Sequence, residues 1–339
     1  ASLPAVGSGS SNGGFEGGLD GKSGFDALGN QNGDLTEAAK FYEEIDTQTQ
    51  GFPMSSGADG TDAYTDALDL LSNQDEYDIN LILTPGIIAE KHTTIVSKII
   101  DVCESRADCF AVIDPVTYNS ALTTAVTQAE ARDTNFAAMY WPWVKVPDSQ
   151  VAGTQRWVPP STVIGGVYAF NDRVAHPWFA PAGLNRGGIT TAIQAERKLT
   201  QSDRDTLYDS NVNPIATFPG QGVTVFGQKT LQKKASALDR INVRRLLIRV
   251  KKFIASSSRF LVFEQNTAAT RRRFLSIVNP FLDQVQAQSG LSAFRVVMDE
   301  TNNTPDTIDR NQLVGQLFLQ PTRTAEFIVL DFTIQPTGA

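Results

Sequence analysis

The chain has 339 residues, 41% of them hydrophobic and 19% charged, a composition that folds around a core and a length that accommodates two domains. It contains no run of about 18 apolar residues, so no membrane span is expected, and the N-terminal "ASLPAVGSGSSNGG" lacks the basic and apolar regions of a signal peptide. The net charge of −8 hides an asymmetry: residues 1–150 carry 7 Lys+Arg against 23 Asp+Glu, and residues 151–339 carry 22 against 14, a balance suited to subunits that attract each other head to tail.

Residues 1–34 hold ten glycines with many Ser and Asn, the composition of a flexible segment. Within it "GGLDGKSG" (17–24) approaches a phosphate-binding loop, but Glu16 stands where the first glycine of G-x-x-x-x-G-K-[ST] belongs, and no strand precedes it. From residue 61 helical and apolar segments alternate. "TDAYTDALDLLSN" (61–73), "AEKHTTIVSKIIDVCESR" (89–106) and "NSALTTAVTQAEAR" (119–132) read as helices. Between them "YDINLILTPG" (77–86), "CFAVIDP" (109–115) and "NFAAMYWPWV" (135–144) read as short, wholly apolar strands. That alternation predicts a mainly parallel sheet covered on both faces. "PPSTVIGGVYAFNDR" (159–173) predicts a further helix with Pro160 near its first turn.

Next comes "HPWFAPAGLNRGG" (176–188), a loop of bulky apolar groups and backbone specialists. Its prolines fix φ and its glycines permit close backbone approach. It is expected to be rigid packing, with Trp178 and Phe179 anchored on the sheet, Pro181 and Gly183 setting the backbone, and Arg186 available to carbonyls or a carboxylate. The loop "FPGQGVTVFGQK" (218–229) is a natural domain boundary, and the pattern changes beyond it.

"DRINVRRLLIRVKKFIASSSRF" (239–260) carries an amphipathic stripe at Val243, Leu246, Leu247, Val250, Phe253 and Ile254. Its other faces carry Arg244, Arg245, Arg249, Lys251 and Lys252. "NTAATRRRFLSIVNPFLDQVQAQSG" (266–290) predicts a second helix, with Asn266 as cap, Gly290 as stop, and Pro280 kinking or dividing it. The strand patterns "AFRVVMD" (293–299), "QLVGQLFLQP" (312–321) and "AEFIVLDFTIQP" (325–336) follow. Two helices and then three strands describe a smaller α+β domain.

No complete catalytic constellation is visible. His92 and His176 are the only histidines, and neither stands in a nucleophile-elbow or metal motif. Asp114 ends a strand, a frequent place for chemistry in α/β enzymes, but Asp-Pro also simply terminates strands. Cys103 and Cys109, separated by five residues, lack companions at zinc spacing and read as ordinary thiols. No metal or cofactor is expected. Two other readings stand beside a structural role: an α/β-fold hydrolase or transferase with an unrecognised site, and a nucleic-acid binder using the 240–273 basic cluster. The basic half lacks the aromatic–basic interleaving of a single-strand binder.

Five segments, collinear over most of residues 55–335, carry a resemblance: "RWVPPS" (156–161), "WFAPAGLNRGGI" (178–189), "SDRDTLYDSNVNPI" (202–215), "LDRINVRRLLIRVKKFI" (238–254) and "ETNNTPDTIDRNQLVGQLFLQPTRTAEFIVLDF" (300–332). The chain resembles the tail sheath proteins of contractile-tailed, T-even-like phages. Composition sets apart a Gly/Ser-rich segment over 1–50, and the resemblance implies a subtilisin-like α/β domain without a protease site over 51–222 and an α+β C-terminal domain over 223–339. It implies a non-enzymatic virion subunit, assembled in the host cytoplasm, that polymerises helically with further copies of itself around a tail tube protein. Baseplate and tail terminator proteins are the other expected partners, with no direct contact to nucleic acid or membrane. The family places its C-terminal domain innermost, so Arg244, Arg245, Arg249, Lys251 and Lys252 become candidates for facing the tube. In the last strand pattern, Ile328, Leu330, Phe332 and Ile334 share one face, Phe327 and Val329 partly cover the other, and the segment is a candidate for linking subunits by strand addition. Members of the family carry an arm and further domains ahead of this region, and the arm cannot be placed on the glycine-rich start.

Overall fold

The structure, a computed structural model, describes residues 59–148, 153 and 155–326. The chain forms two compact units. The first runs to Pro177 and resumes over Pro181–Arg249; the second comprises Trp178–Ala180 and the residues from Val250 onward.

The first unit is built on a five-stranded sheet: β1 Leu81–Ile88, β2 Phe110–Asp114, β3 Ala137–Trp141, β7 Val212–Phe218 and β8 Gly222–Val225, in that spatial order. The first four strands are parallel, and β8 returns antiparallel from β7. All five residues of β2 and all five of β3 are buried. This is why these strands read as unbroken apolar runs: in a strand covered on both faces there is no solvent side to alternate with. The alternation survives as a sorting between two cores. Ala111, Ile113, Ala137, Met139 and Trp141 join one cluster with Ile95 and Ile99 of α2 (Thr93–Arg106), Ala125 of α3 (Leu122–Glu130) and Leu207 of α5 (Gln201–Asp209). Phe110, Val112, Ala138 and Tyr140 join the other with Ile164 and Tyr168 of α4 (Ser161–Val174) and Ile241 and Ile248 of α6 (Ile241–Ser258). α1 (Asp59–Leu71) packs on α2 and adds Leu68 to the first cluster, with Tyr64 against it.

The details depart from the sequence reading in places. β1 does not end at Pro85-Gly86 but continues to Ile88, its register to β2 slipping between Leu83 and Ile88. Pro85 has no N–H for the ladder and Gly86 takes φ 93°, so the chain bulges and resumes. The run 135–144 is two strands in two sheets: β3 stops at Trp141, Pro142 interrupts, and β4 (Val144–Pro147) pairs antiparallel with β5 (Gln155–Val158) and β6 (Gln194–Ala195). Residues 218–229 form the turn into β8, β8 itself and the loop after it.

In the second unit, α7 (Ala268–Ala287) packs on the hairpin of β9 (Leu291–Val297) and β10 (Gln316–Pro321), with the short α8 (Pro305–Asp309) between the strands. Pro280 does not divide α7. Buried Phe274, Val278, Leu282 and Val285 run through it at helical spacing and hold both halves on one face, while Pro280 itself is exposed. The cap is Thr267, whose hydroxyl accepts from the Thr270 amide, rather than Asn266; the Asn266 amide donates to the Gln312 carbonyl at 2.9 Å. Residues 327–336 of the last strand pattern lie outside the described residues.

Candidate functional site

The strongest enzyme-like feature is Asp114, at the carboxyl end of β2. Its Oδ1 accepts from the Ser161 amide at 2.9 Å and its Oδ2 from the Ser161 hydroxyl at 2.6 Å. Asp114 is 1% exposed and Ser161 0%. Burial pushes the carboxyl up to about 7, against the pull of both Ser161 hydrogen bonds. This is a capping arrangement: the acid satisfies the first amide of α4, whose own N-cap, Pro160, makes no side-chain cap. Both groups are sealed from a substrate. The serine was not legible as a partner, because 47 residues separate it from Asp114.

The remaining chemical candidates are also engaged. His92 is buried, and its Nδ1 accepts from the Ile88 amide at 2.9 Å. The His176 carbonyl accepts from Asn171 at 3.1 Å. Cys103 and Cys109 are buried thiols with sulfurs 3.5 Å apart, and the hydrogen bond the protonated Cys103 thiol shares with Cys109, with burial, holds it above its ordinary value. Among the described residues no group of three His, Cys, Asp or Glu is placed to hold a metal, and no helix is long and apolar enough to cross a membrane.

The five cations proposed on α6 divide. Arg244 and Arg245 are buried, and the surface role expected of them is corrected by their contacts. Arg244 bonds Asn135, lies 4.0 Å from the Phe136 ring centroid, and is pulled down to about 10 by burial. Arg245 pairs with Asp172 and lies 4.6 Å over Tyr168. Periodicity assigned them to a polar face, but every residue from Ile241 to Leu246 is buried, so the start of α6 has no solvent side. Arg249 and Lys251 are exposed and Lys252 is half-buried.

The loop 176–188 is assembled by backbone. The Gly183 amide donates to Val225 O at 2.9 Å, Val225 N to Gly187 O at 2.8 Å, and Ile189 N to Val223 O at 2.9 Å, so the loop covers the open edge of β8. Gly183 takes φ 81°. A Cβ on Gly187 would lie 2.5 Å from Val225 O, so that position requires glycine. Pro181 is buried and Arg186 half-buried. Trp178 is held at the end of α7, where its indole N–H donates to Gln288 O at 3.0 Å.

Two surface features were not singled out from sequence. The turn from α6 to α7 exposes Phe260 (79%), Val262 (59%) and Phe263 (104%). Residues 59–80 carry seven carboxylates and no Lys or Arg, and Asp62, Asp66 and Asp69 are exposed along α1. The signal for the first was three bulky apolar residues in a connection between helices; for the second, a cation-free stretch.

Residues 57–231 match the family described as phage tail sheath protein central domain, and residues 233–335 match the phage tail sheath C-terminal domain. The tail sheath protein of Vibrio phage KVP40 is 33% identical over 320 residues, covering 86% of this chain and 48% of the relative. The tail sheath protein of Enterobacteria phage T4 is 31% identical over 294 residues, covering 81% and 44%. The chain therefore spans about half the length of the curated relatives it matches. Among solved structures, the PVC sheath complex of an extracellular contractile injection system in its contracted state is 28% identical with a TM-score of 0.67, covering 78% of this chain and 74% of that one. The anti-feeding prophage helical sheath in its contracted state is 25% identical with a TM-score of 0.64, covering 83% and 76%.

Proposed function

Since the chain belongs to the phage tail sheath protein family, we propose that it is the subunit of a contractile tail sheath. Copies polymerise helically around an inner tail tube, and their contraction drives the tube through the host envelope. The observation that carries this is the unbroken match of both sheath domains over residues 57–231 and 233–335, supported by the fold shared with sheaths solved in their contracted state. Contraction is a transition between two packings of the same interfaces. It requires no nucleotide, in line with the incomplete phosphate loop.

On this reading the protein is a virion component without enzymatic activity, assembled in the host cytoplasm, with tube, baseplate and terminator proteins as partners. Sealing of the Asp114–Ser161 pair supports the non-catalytic part of this reading, and the mainly parallel sheet covered on both faces supports its subtilisin-like part. Arg249, Lys251 and Lys252 are the cations of the proposed five that remain for an acidic tube. The alternation of Ile328, Leu330, Phe332 and Ile334 supports residues 327–334 as the link between subunits, either as a donated strand or in the sheet that receives one. Negative-stain microscopy of the purified protein tests the whole: wide hollow tubes are expected, and a monomer at every concentration would sink the reading. Truncation after Thr324 is expected to abolish sleeves that survive contraction. Charge reversal at Arg249 and Lys251 is expected to weaken assembly on tubes at low salt.

A further inference from the structure

The turn between α6 and α7 is an unusual piece of surface. Leu261 is buried at 7%, and the Arg259 and Leu261 carbonyls accept from the amides of Val262 and Glu264, so the turn is pinned. Around that pin Phe260, Val262 and Phe263 all face solvent, and Phe263 sits at φ 71°, a conformation bulky residues rarely adopt. An aromatic side chain that is both strained and fully solvated contributes nothing to its own unit, and such residues mark contacts made elsewhere. The surroundings are basic: residues 249–273 contain seven Lys or Arg and a single acid, Glu264. Arg249, Arg272 and Arg273 are exposed.

The same chain carries the complement. On α1, Asp62 and Asp66 lie one turn apart, and Ala63, Ala67 and Leu70, the last 56% exposed, run beside them. The alanines leave room for a ring between carboxylates that pair with guanidinium groups. The run 59–80 carries no cation of its own, Lys98 of α2 pairing with Asp69 further along the helix, and the run 249–273 makes the turn basic.

We propose that the α6–α7 turn of one subunit docks on the α1 face of a neighbouring copy. Phe260 and Phe263 lie over Ala63, Ala67 and Leu70, and Arg272 and Arg273 face Asp62 and Asp66. The two patches differ, so the contact is heterologous and propagates from copy to copy, as a helical array requires. The proposal rests on the sheath reading for its geometry of many copies, and it uses α7 cations distinct from those on α6 assigned to the tube.

A charge swap on the full chain tests it. Arg272→Glu/Arg273→Glu and Asp62→Arg/Asp66→Arg are each expected to weaken self-association by about tenfold or more in sedimentation. An equimolar mixture of the two, or all four changes in one chain, is expected to restore it. Phe260→Ser/Phe263→Ser is expected to weaken it without rescue. Circular dichroism and melting temperatures near wild type identify folded variants; all six positions are exposed, so folding should hold. Loss that neither mixture nor combined reversal restores would overturn the proposal and pass the turn to another acidic partner, such as an anionic vesicle or the tube. Reversals that leave association unchanged, or a wild-type chain that does not self-associate, would overturn it as well. Rescue without hollow tubes under negative stain would sink the sheath reading and leave the docking standing.

Discussion

Arg245 grips Asp172 with both ends of its guanidinium, Nη1 to Oδ1 at 2.9 Å and Nη2 to Oδ2 at 2.6 Å, and ties α6 to the last turn of α4. Tyr168, one turn before Asp172, lies under the same guanidinium, and its hydroxyl is 2.6 Å from that of Tyr140 on β3. A planar cation serves here where an ammonium could not, since it bridges a carboxylate and stacks on a ring at once. Arg245→Ala is expected to cost about 2 kcal/mol, the scale of a hydrogen bond to a charged group rather than of a fully buried ion pair, because the Asp172 side chain remains 32% exposed and can be hydrated. Arg245→Lys should recover less than half of that. Chemical denaturation measures both. If reversal at Arg245 left stability untouched and affected only assembly, the assignment of this residue to the fold would be wrong.

Asp114 gives the fold a pH dependence with a definite sign. Its folded value of about 7 lies above the ordinary carboxylate value of about 4, so the folded state holds a proton that the unfolded state has lost. Stability from this group is full at acid pH and declines as pH rises through the window between those values. Asp114→Asn removes the titration while keeping an acceptor for the Ser161 amide. The difference in melting temperature between wild type and this variant is expected to shift in the variant's favour from pH 5 to pH 8. A difference constant across that range would show that Asp114 does not titrate there.

Adjacent glycines in the loop 176–188 should behave differently. Gly187→Ala pushes a methyl onto Val225 O and onto the Ala182 and Gly183 backbone, at 2.5–2.8 Å, and so must lift the loop off β8. A cost of about 2 kcal/mol is expected from the forced shift. Gly188→Ala meets nothing within 4 Å and should change stability little. Thermal melts of the pair compare the same substitution at neighbouring positions, which isolates the edge contact from backbone entropy.

The parallel sheet was legible because burial on both faces leaves a local signature, a short apolar run such as "FAVID", that needs no knowledge of partners. α5 carries a local signal of its own, since Thr200 and Asp203 form a capping box at its start. The sheet of β4, β5 and β6 was not legible, since strands of two to four residues fall below any periodic pattern. Arg244 and Arg245 misled for a related reason. Periodicity reports which residues share a helix face, but the number of faces that are covered depends on neighbours such as Asp172 and Asn135, more than 70 residues away in sequence. The same limit hid the α6–α7 turn, whose meaning lies in exposure and a positive φ rather than in composition.

Arg106 is the mount of the α1 face. At 1% exposure, its Nη1 donates to Leu71 O at 2.5 Å, its Nη2 to Tyr77 O at 2.8 Å, and its Nε to Asp108 at 2.8 Å. Those acceptors close the end of α1 and the loop leading to β1 over the last turn of α2. Arg106→Ala leaves two carbonyls and a carboxylate without the cation that satisfies them, at a cost of about 4 kcal/mol. Arg106→Lys keeps the charge but cannot reach all three acceptors, so it should fall between. The loss should be local before it is global, because α1 reaches the hydrophobic core cluster through Leu68, with Tyr64 packed against it. Hydrogen exchange is therefore expected to quicken across α1 in the Lys variant while the amides of β2 and β3 stay protected. If Asp62 and Asp66 receive a neighbouring copy, this variant should also lose self-association, and the charge swap at those positions should not rescue it. Unchanged protection of α1 in a folded Arg106→Lys protein would show that the helix is held by its apolar contacts alone.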